Sequence, residues 1–177
     1  MAIAGVAGVI ALACMQPADV GPSQWRIAGA DREALEFPRV VGTVTIARAP
    51  QRIVAASVLS AEVLLAIAPR ERIGGVLALA ADARYSESAA LAATIAKLGA
   101  EPEQLIAARP DLVVVDEFSR AEVPLLLRAA GIPVVRTHAA LDFDEVADNV
   151  RMIGWAMGGD AGAERLVDSM RVRLGAL

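Results

Sequence analysis

The sequence predicts an α/β fold: one three-layer, Rossmann-like lobe in which a parallel sheet is covered by helices on both faces. Three observations predict it. From about Ile53 onward, short apolar runs of strand character alternate with segments of helical period, the signature of parallel strands joined by crossovers. The length, 177 residues, suits one ordinary domain and not two. The hydrophobic content is 56%, and the excess is mostly Ala, Val and Leu, the composition of buried parallel strands and small-residue helix faces.

Taken in order, residues 16 to 36 carry Pro17, Gly21, Pro22 and Ser23 without a clean period and read as a tether. Val40-Val-Gly-Thr-Val-Thr-Ile-Ala47 is rich in β-branched residues and broken by Gly42, so it reads as a small hairpin or a bulged strand. Ile53 to Ala56 is a short buried strand. Ser57 to Ala68 is a helix with Ser57 or Ser60 available as N-cap. Ile73 to Leu79 is a strand, and its Gly74-Gly75 pair points to close backbone packing. A polar loop, Ala81 to Ser86, leads into a helical stretch ending near Lys97-Leu-Gly99. Glu101 to Ala108 is a short helix with Pro102 in its first turn, where proline is tolerated. Leu112-Val-Val-Val115 is a continuous apolar strand. Ser119-Arg-Ala-Glu122 reads as a capping box opening a helix that stops at Gly131. Ile132 to Val135 is the next strand, and Leu141 to Met157 and Asp160 to Leu174 are two further helices.

The N-terminal segment reads differently. The apolar stretch Ala2 to Met15 is shorter than the ~20 residues that cross a bilayer as a helix. Its end, Gly5-Val-Ala-Gly-Val-Ile-Ala-Leu-Ala-Cys14, has the length and small residues of a secretory signal with its cleavage site. A cysteine directly after Ala-Leu-Ala resembles a bacterial lipobox, which makes Cys14 the candidate for lipidation. An ordinary signal peptide, or a buried N-terminal strand with an incidental cysteine, are the alternatives. Cys14 is the only cysteine, so no disulfide forms within the chain and a thiolate metal site is disfavoured.

Charge excludes one class of partner. The formal net charge is −4, and no run of Lys or Arg supplies the concentrated basic surface that nucleic acid requires. No Gly-rich fingerprint or Gly-Lys-Ser/Thr loop follows a strand, so nucleotide binding lacks its usual mechanics.

In open parallel sheets ligands sit beyond the carboxyl ends of the strands. Four loops lie there: Ser57 to Ser60, Leu79 to Ser86, Asp116 to Ser119 and Arg136 to Ala140. Asp116-Glu117 is a strand-end carboxylate pair, read either as a ligand contact or as a solvated strand end. His138 is the only histidine. With Ser57 and Asp116 it composes a conceivable hydrolase or chelatase-like triad, although no Gly-x-Ser-x-Gly elbow is present. With Tyr85, Asp82 and Asp116 it composes a conceivable metal set, short of the imidazoles such sites favour.

Three fragments in order carry a more specific resemblance. Thr45-Ile-Ala-Arg-Ala-Pro-Gln-Arg-Ile-Val-Ala-Ala-Ser57, with Glu62 in the next helix, resembles the opening of the helical-backbone solute-binding proteins of ABC importers. Glu103-Gln-Leu-Ile-Ala-Ala-Arg-Pro-Asp-Leu-Val-Val-Val-Asp116 resembles their helix–turn–strand segment, and Leu125-Leu-Leu-Arg-Ala-Ala-Gly-Ile-Pro-Val-Val135 follows at the family's distance. The resemblance spans about Thr43 to Leu174.

It implies a non-enzymatic, extracytoplasmic protein that captures a metal chelate and delivers it to an ABC permease. The chelate is cobalamin or a ferric siderophore, with haem less favoured. It implies no resident cofactor or protein-bound metal, a monomer, and a place in the periplasm or on the outer face of the cytoplasmic membrane, lipid-anchored. Ser57, Val58, Leu59 and Ser60 fall where the family builds its cleft, as do Tyr85, Asp116, Glu117, Phe118 and His138. Glu103 falls where the family places the carboxylate that docks on permease arginines. An exposed acid at a helix start suits such a contact. The implied organisation is a signal or lipid-anchor segment and tether over residues 1–36 and an N-terminal α/β lobe over 37–158. Residues 159–177 then start the connecting helix, with the second lobe absent.

Overall fold

The computed structural model describes residues 36–176, so Cys14 and the tether lie outside the described residues. The described chain opens with a hairpin of β1 (Arg39–Val41) and β2 (Val44–Ile46), paired antiparallel with Val41 opposite Val44. Gly42 takes the first position of the two-residue turn at φ +58°, the conformation that glycine adopts without a steric cost.

The rest is the α/β lobe. Its elements are β3 (Ile53–Ala55), α1 (Val58–Ile67), β4 (Ile73–Leu77), α2 (Ala89–Ala92), β5 (Lys97–Leu98) and α3 (Pro102–Ala107). They continue with β6 (Leu112–Val115), α4 (Glu122–Ala129), β7 (Val134–Arg136), α5 (Phe143–Met157) and α6 (Asp160–Leu174). The five strands β3 to β7 form one parallel sheet in the order β5-β4-β3-β6-β7. The chain works outward from β3 to β5, then crosses back to lay β6 on the other side of β3. The gap between the carboxyl ends of β3 and β6 is therefore the topological switch point, the usual place for a ligand in such sheets.

The strands are apolar on both faces because both faces are covered. Ile53, Ala55, Leu112, Val114 and Val135 point into a core shared with α1, α2, α5 and α6. Val54, Ala56, Val113, Val115 and Val134 point into a second core, closed by Leu105 of α3 and by Val123 and Leu127 of α4. All four residues of β6 have no exposed surface, which is why they read as an unbroken apolar run.

The helices α5 and α6 form an antiparallel-type pair joined through Gly158, which ends α5 in the left-handed conformation at φ +75°. A Cβ built on Gly154 of α5 falls 2.4 Å from the Cβ of Ala163 in α6, so the pair packs at a distance only glycine permits. Ala163, Leu166, Val167 and Met170 bury α6 in the first core.

The amino edge of the sheet is clamped by side chains. The Asp111 carboxylate accepts the backbone amides of Gln51 and Arg52, each at 2.7 Å. Arg52 Nε donates to Ala108 O at 2.6 Å, and Arg72 donates to Pro50 O at 2.7 Å and to Met157 O at 2.6 Å. The Pro-Asp turn ahead of β6 thus fixes the start of β3 as well.

The structure departs from the sequence reading in three elements. The strand expected to reach Leu79 ends at Leu77 and gives way to a 3₁₀ turn over Ala78–Ala81. The helical stretch expected up to Lys97 is the single turn of α2, and Lys97-Leu98 is the edge strand β5. Gly75 permits that pairing, since a Cβ there would lie 2.5 Å from Leu98 Cδ1. Ser119 does not cap α4. Its hydroxyl donates to Asp116 Oδ1 at 2.9 Å, and α4 starts at Glu122 with no side-chain cap.

Candidate functional site at the carboxyl edge of the sheet

Four loops follow the strand carboxyl ends, in the spatial order set by the sheet. The Tyr85 segment lies beyond β4, Ser57 to Ser60 beyond β3, Asp116 to Phe118 beyond β6, and Thr137-His138 beyond β7.

Beyond β3 the chain enters α1 through a reciprocal cap. Ser57 Oγ accepts from Ser60 N at 3.1 Å, Ser60 Oγ accepts from Ser57 N at 3.1 Å, and the two hydroxyls are 2.8 Å apart. Both serines are buried, whereas Val58 and Leu59 are partly open. The two serines therefore shape the first loop through its backbone, and the half-exposed Val58 and Leu59 offer its surface.

Beyond β6 and β7 the two loops are tied to each other. Arg136 Nη2 donates to Glu117 O, and Arg136 Nε donates to Asp116 O at 3.3 Å. The Glu117 carboxylate accepts from Ala139 N at 2.6 Å. Thr137 N donates to Val115 O at 3.0 Å. A shallow pocket of about 330 Å³, lined by Glu117, Arg136, Thr137 and His138, opens between them. The His138 backbone is held on both sides by the fully buried Asn149 of α5. Asn149 Oδ1 accepts from His138 N and its Nδ2 donates to His138 O, both at 2.9 Å. Phe118 is 71% exposed and Tyr85 53% exposed, so two of the lobe's few aromatic rings stand open at this edge.

Beyond β4 the Tyr85 segment is a local turn. Tyr85 N and Ser86 N both donate to Asp82 O. Arg84 forks onto the Asp82 carboxylate, with Nη2 2.6 Å from Oδ2, and these bonds hold the Asp82 pKa down to about 2. The segment's side-chain hydrogen bond to the rest of the lobe comes from Ser86, whose Oγ donates to Glu62 Oε1 at 2.9 Å. Glu62 is 1% exposed and its Oε2 has no hydrogen-bond partner. Burial pushes its carboxyl above the usual carboxylate value of 4.5. The Ser86 hydroxyl and the Glu87 amide oppose that shift, and the Glu87 charge adds to it.

The hydrolase arrangement is not assembled. The Ser57 hydroxyl is spent on the α1 cap and the Asp116 carboxylate on Ser119, and neither meets His138. Among the described residues no three His, Cys, Asp or Glu side chains gather as a metal set, so Tyr85, Asp82, Asp116 and His138 do not converge as one.

Glu103 stands apart from this edge. It is exposed in the first turn of α3, within electrostatic reach of Arg120. Arg120 itself bonds Glu101 at 2.7 Å and approaches Glu122 at 3.5 Å, and its pKa is raised, first by the Glu101 bond.

In the sequence reading Glu62 enters only with the family-like opening and Arg136 only as the start of a strand-end loop, and Asn149 does not enter the site at all. Glu62 carries a signal, since Ala61, Val63 and Leu64 around it make α1 apolar on every side, the mark of a buried helix. Asn149 carries none.

Comparison with known proteins agrees with this fold. No protein-family model matches the chain. It is 28% identical to the uncharacterized ABC transporter substrate-binding lipoprotein YvrC of Bacillus subtilis (strain 168), over 95% of this chain and 55% of that protein. Among solved structures, it matches a possible iron-binding (periplasmic solute-binding) protein from Staphylococcus epidermidis with a TM-score of 0.62 and 26% identity. That match covers 73% of this chain and 50% of the other. A periplasmic heme binding protein from Pseudomonas aeruginosa matches with a TM-score of 0.60 and 23% identity, over 72% of this chain and 45% of the other. The chain thus spans about half the length of the relatives it matches. It is similar in sequence to a solute-binding protein of ABC transporters and has the parallel α/β lobe fold of the periplasmic members of that class.

Proposed function

We propose that the chain is the N-terminal lobe of an extracytoplasmic solute-binding protein that hands a metal chelate, cobalamin or a ferric siderophore before haem, to an ABC permease. One observation carries the proposal: the strand order brings four loops to the carboxyl edge on either side of the β3/β6 switch point, with Tyr85 and Phe118 exposed there. Open aromatic rings on a rigid sheet edge suit a large, partly apolar ligand. The relative's name as a substrate-binding lipoprotein and the periplasmic names of the structural neighbours support the importer setting. They also support a place outside the cytoplasmic membrane, with Cys14 as the lipidated residue. Ser57 to Ser60, Tyr85, Asp116 to Phe118 and His138 line the cleft, and Glu103 docks on the permease. The protein acts as a monomer, and residues 159–177 start the connecting helix.

The test is a thermal-shift titration of the chain against cyanocobalamin, haemin and ferric siderophores. A ligand selective for the folded state raises the melting temperature with concentration. A rise with one chelate that Phe118→Ala and Tyr85→Ala both suppress supports the proposal. A rise that neither substitution alters sinks the cleft assignment.

A further inference from the structure

We infer that Glu62, buried in α1, is a positioning residue that holds the Tyr85 segment at the carboxyl edge through the hydroxyl of Ser86. The inference deepens the functional proposal and rests on it for one point only, that Tyr85 faces the ligand.

Three observations carry it. A carboxyl 1% exposed, whose only neighbouring charge is another acid, Glu87, is an expensive residue for a helix whose other buried positions are Ser60, Ala61, Val63 and Leu64. Its Oε2 has no partner and its Oε1 bonds outside the helix, so the carboxylate makes no hydrogen bond within α1. Its Oε1 accepts a hydrogen bond from the Ser86 hydroxyl at 2.9 Å, and Ser86 Oγ in turn accepts from the Ser88 amide at 3.2 Å. The result is a relay from the segment's backbone, through one buried hydroxyl, into the core. Among the described residues, the segment's other hydrogen bonds stay local: Tyr85 and Ser86 to Asp82, Arg84 to Asp82, Asp82 to Leu79. The tertiary hydrogen bonding of the segment ends on Glu62, through Ser86 Oγ. Tyr85 is the residue next to Ser86, and its ring position is set by where that hydroxyl is held.

Tyr85 is the only tyrosine, so the full chain labelled with 3-fluorotyrosine gives one fluorine resonance from this site. Ser86→Ala and Glu62→Ala are expected to displace or broaden that resonance in the same way. Glu62→Gln is expected to restore it, because the amide oxygen accepts the same hydroxyl. An unchanged resonance in Ser86→Ala overturns the inference, and this variant removes one oxygen atom, so it stands even where Glu62→Ala does not fold. A Gln variant that behaves as Glu62→Ala also overturns it. Where cyanocobalamin, haemin or a ferric catecholate shifts the wild-type resonance, Ser86→Ala is expected to weaken that binding by about fivefold, the worth of one hydrogen bond. A resonance that responds to Ser86→Ala but to none of these chelates leaves Glu62 as the positioning residue and overturns the placing of Tyr85 in the cleft.

Discussion

Arg39 lies over the indole of Trp155, its Cζ 4.2 Å from the ring centroid, and the same guanidinium donates to the carboxylate of Asp160. It also donates to Trp155 O at 2.9 Å and to Glu36 O at 3.0 Å, and Phe37 lies on it at 5.1 Å. One side chain, 7% exposed, thereby joins the N-terminal hairpin to the corner between α5 and α6. Arg39→Ala is expected to lower stability by about 2–3 kcal/mol, toward the low end for a buried pair because Asp160 is half exposed. Arg39→Lys is expected to recover little, since lysine offers neither the planar fork nor the stacking face. Urea unfolding checks both.

The close approach of Gly154 to Ala163 gives a second test. Gly154→Ala forces a methyl to within 2.4 Å of the Ala163 Cβ, and the backbone oxygen of Gly159 lies 3.3 Å from it. The expected loss is about 1–3 kcal/mol, as for overpacking elsewhere. Gly154→Ala combined with Ala163→Gly removes the nearer clash and is expected to regain part of that loss. Additive losses in the double variant would show that the two helices do not touch there.

Stability should depend on pH through Glu62. Its pKa is raised in the folded chain above the usual 4.5, so the native state holds the proton more tightly than the unfolded chain does. Below pH 4.5 both states are protonated and Glu62 contributes no pH dependence. As pH rises above 4.5 the unfolded chain ionises first, and stability falls until the buried carboxyl also ionises. Glu62→Gln removes this dependence. The variant is expected to match the wild type near pH 4 and to exceed it in melting temperature near pH 7. Equal melting temperatures at both pH values would contradict a raised pKa.

Glu103 and the cleft are separable. Glu103 sits at the start of α3, and the candidate ligand loops lie beyond β3, β4, β6 and β7. Glu103→Arg is expected to abolish stimulation of the permease's ATPase in a reconstituted transporter while chelate affinity stays within twofold. Loss of chelate binding instead would remove the docking role.

The legible parts of the fold are those whose residues see one environment along their whole length. β6 announces itself because all four residues are buried, and α6 because its apolar period survives unbroken from Asp160 to Leu174. β5 was illegible, since two residues, Lys97 and Leu98, carry no period, and their pairing depends on the absence of a side chain at Gly75. Ser119 misleads for a physical reason. Its hydroxyl donates to the Asp116 carboxylate, and α4 starts only at Glu122 with Ala121 at the cap position, two residues past Ser119. At the candidate site, the strand-end loops follow from alternation alone. Asn149 does not, because its partners are backbone atoms of His138 that any sequence would supply.

The side-chain clamps of Asp111, Arg52 and Arg72 all sit where the strands begin. At the other end, the strands run out into loops with open rings and a shallow hollow. The sheet is in effect a cantilever, built in at its amino edge and carrying its loops at the other. The strand register is thereby fixed at the root, so substitutions in the loops at the far edge are expected to change those loops and leave the strands beneath in place.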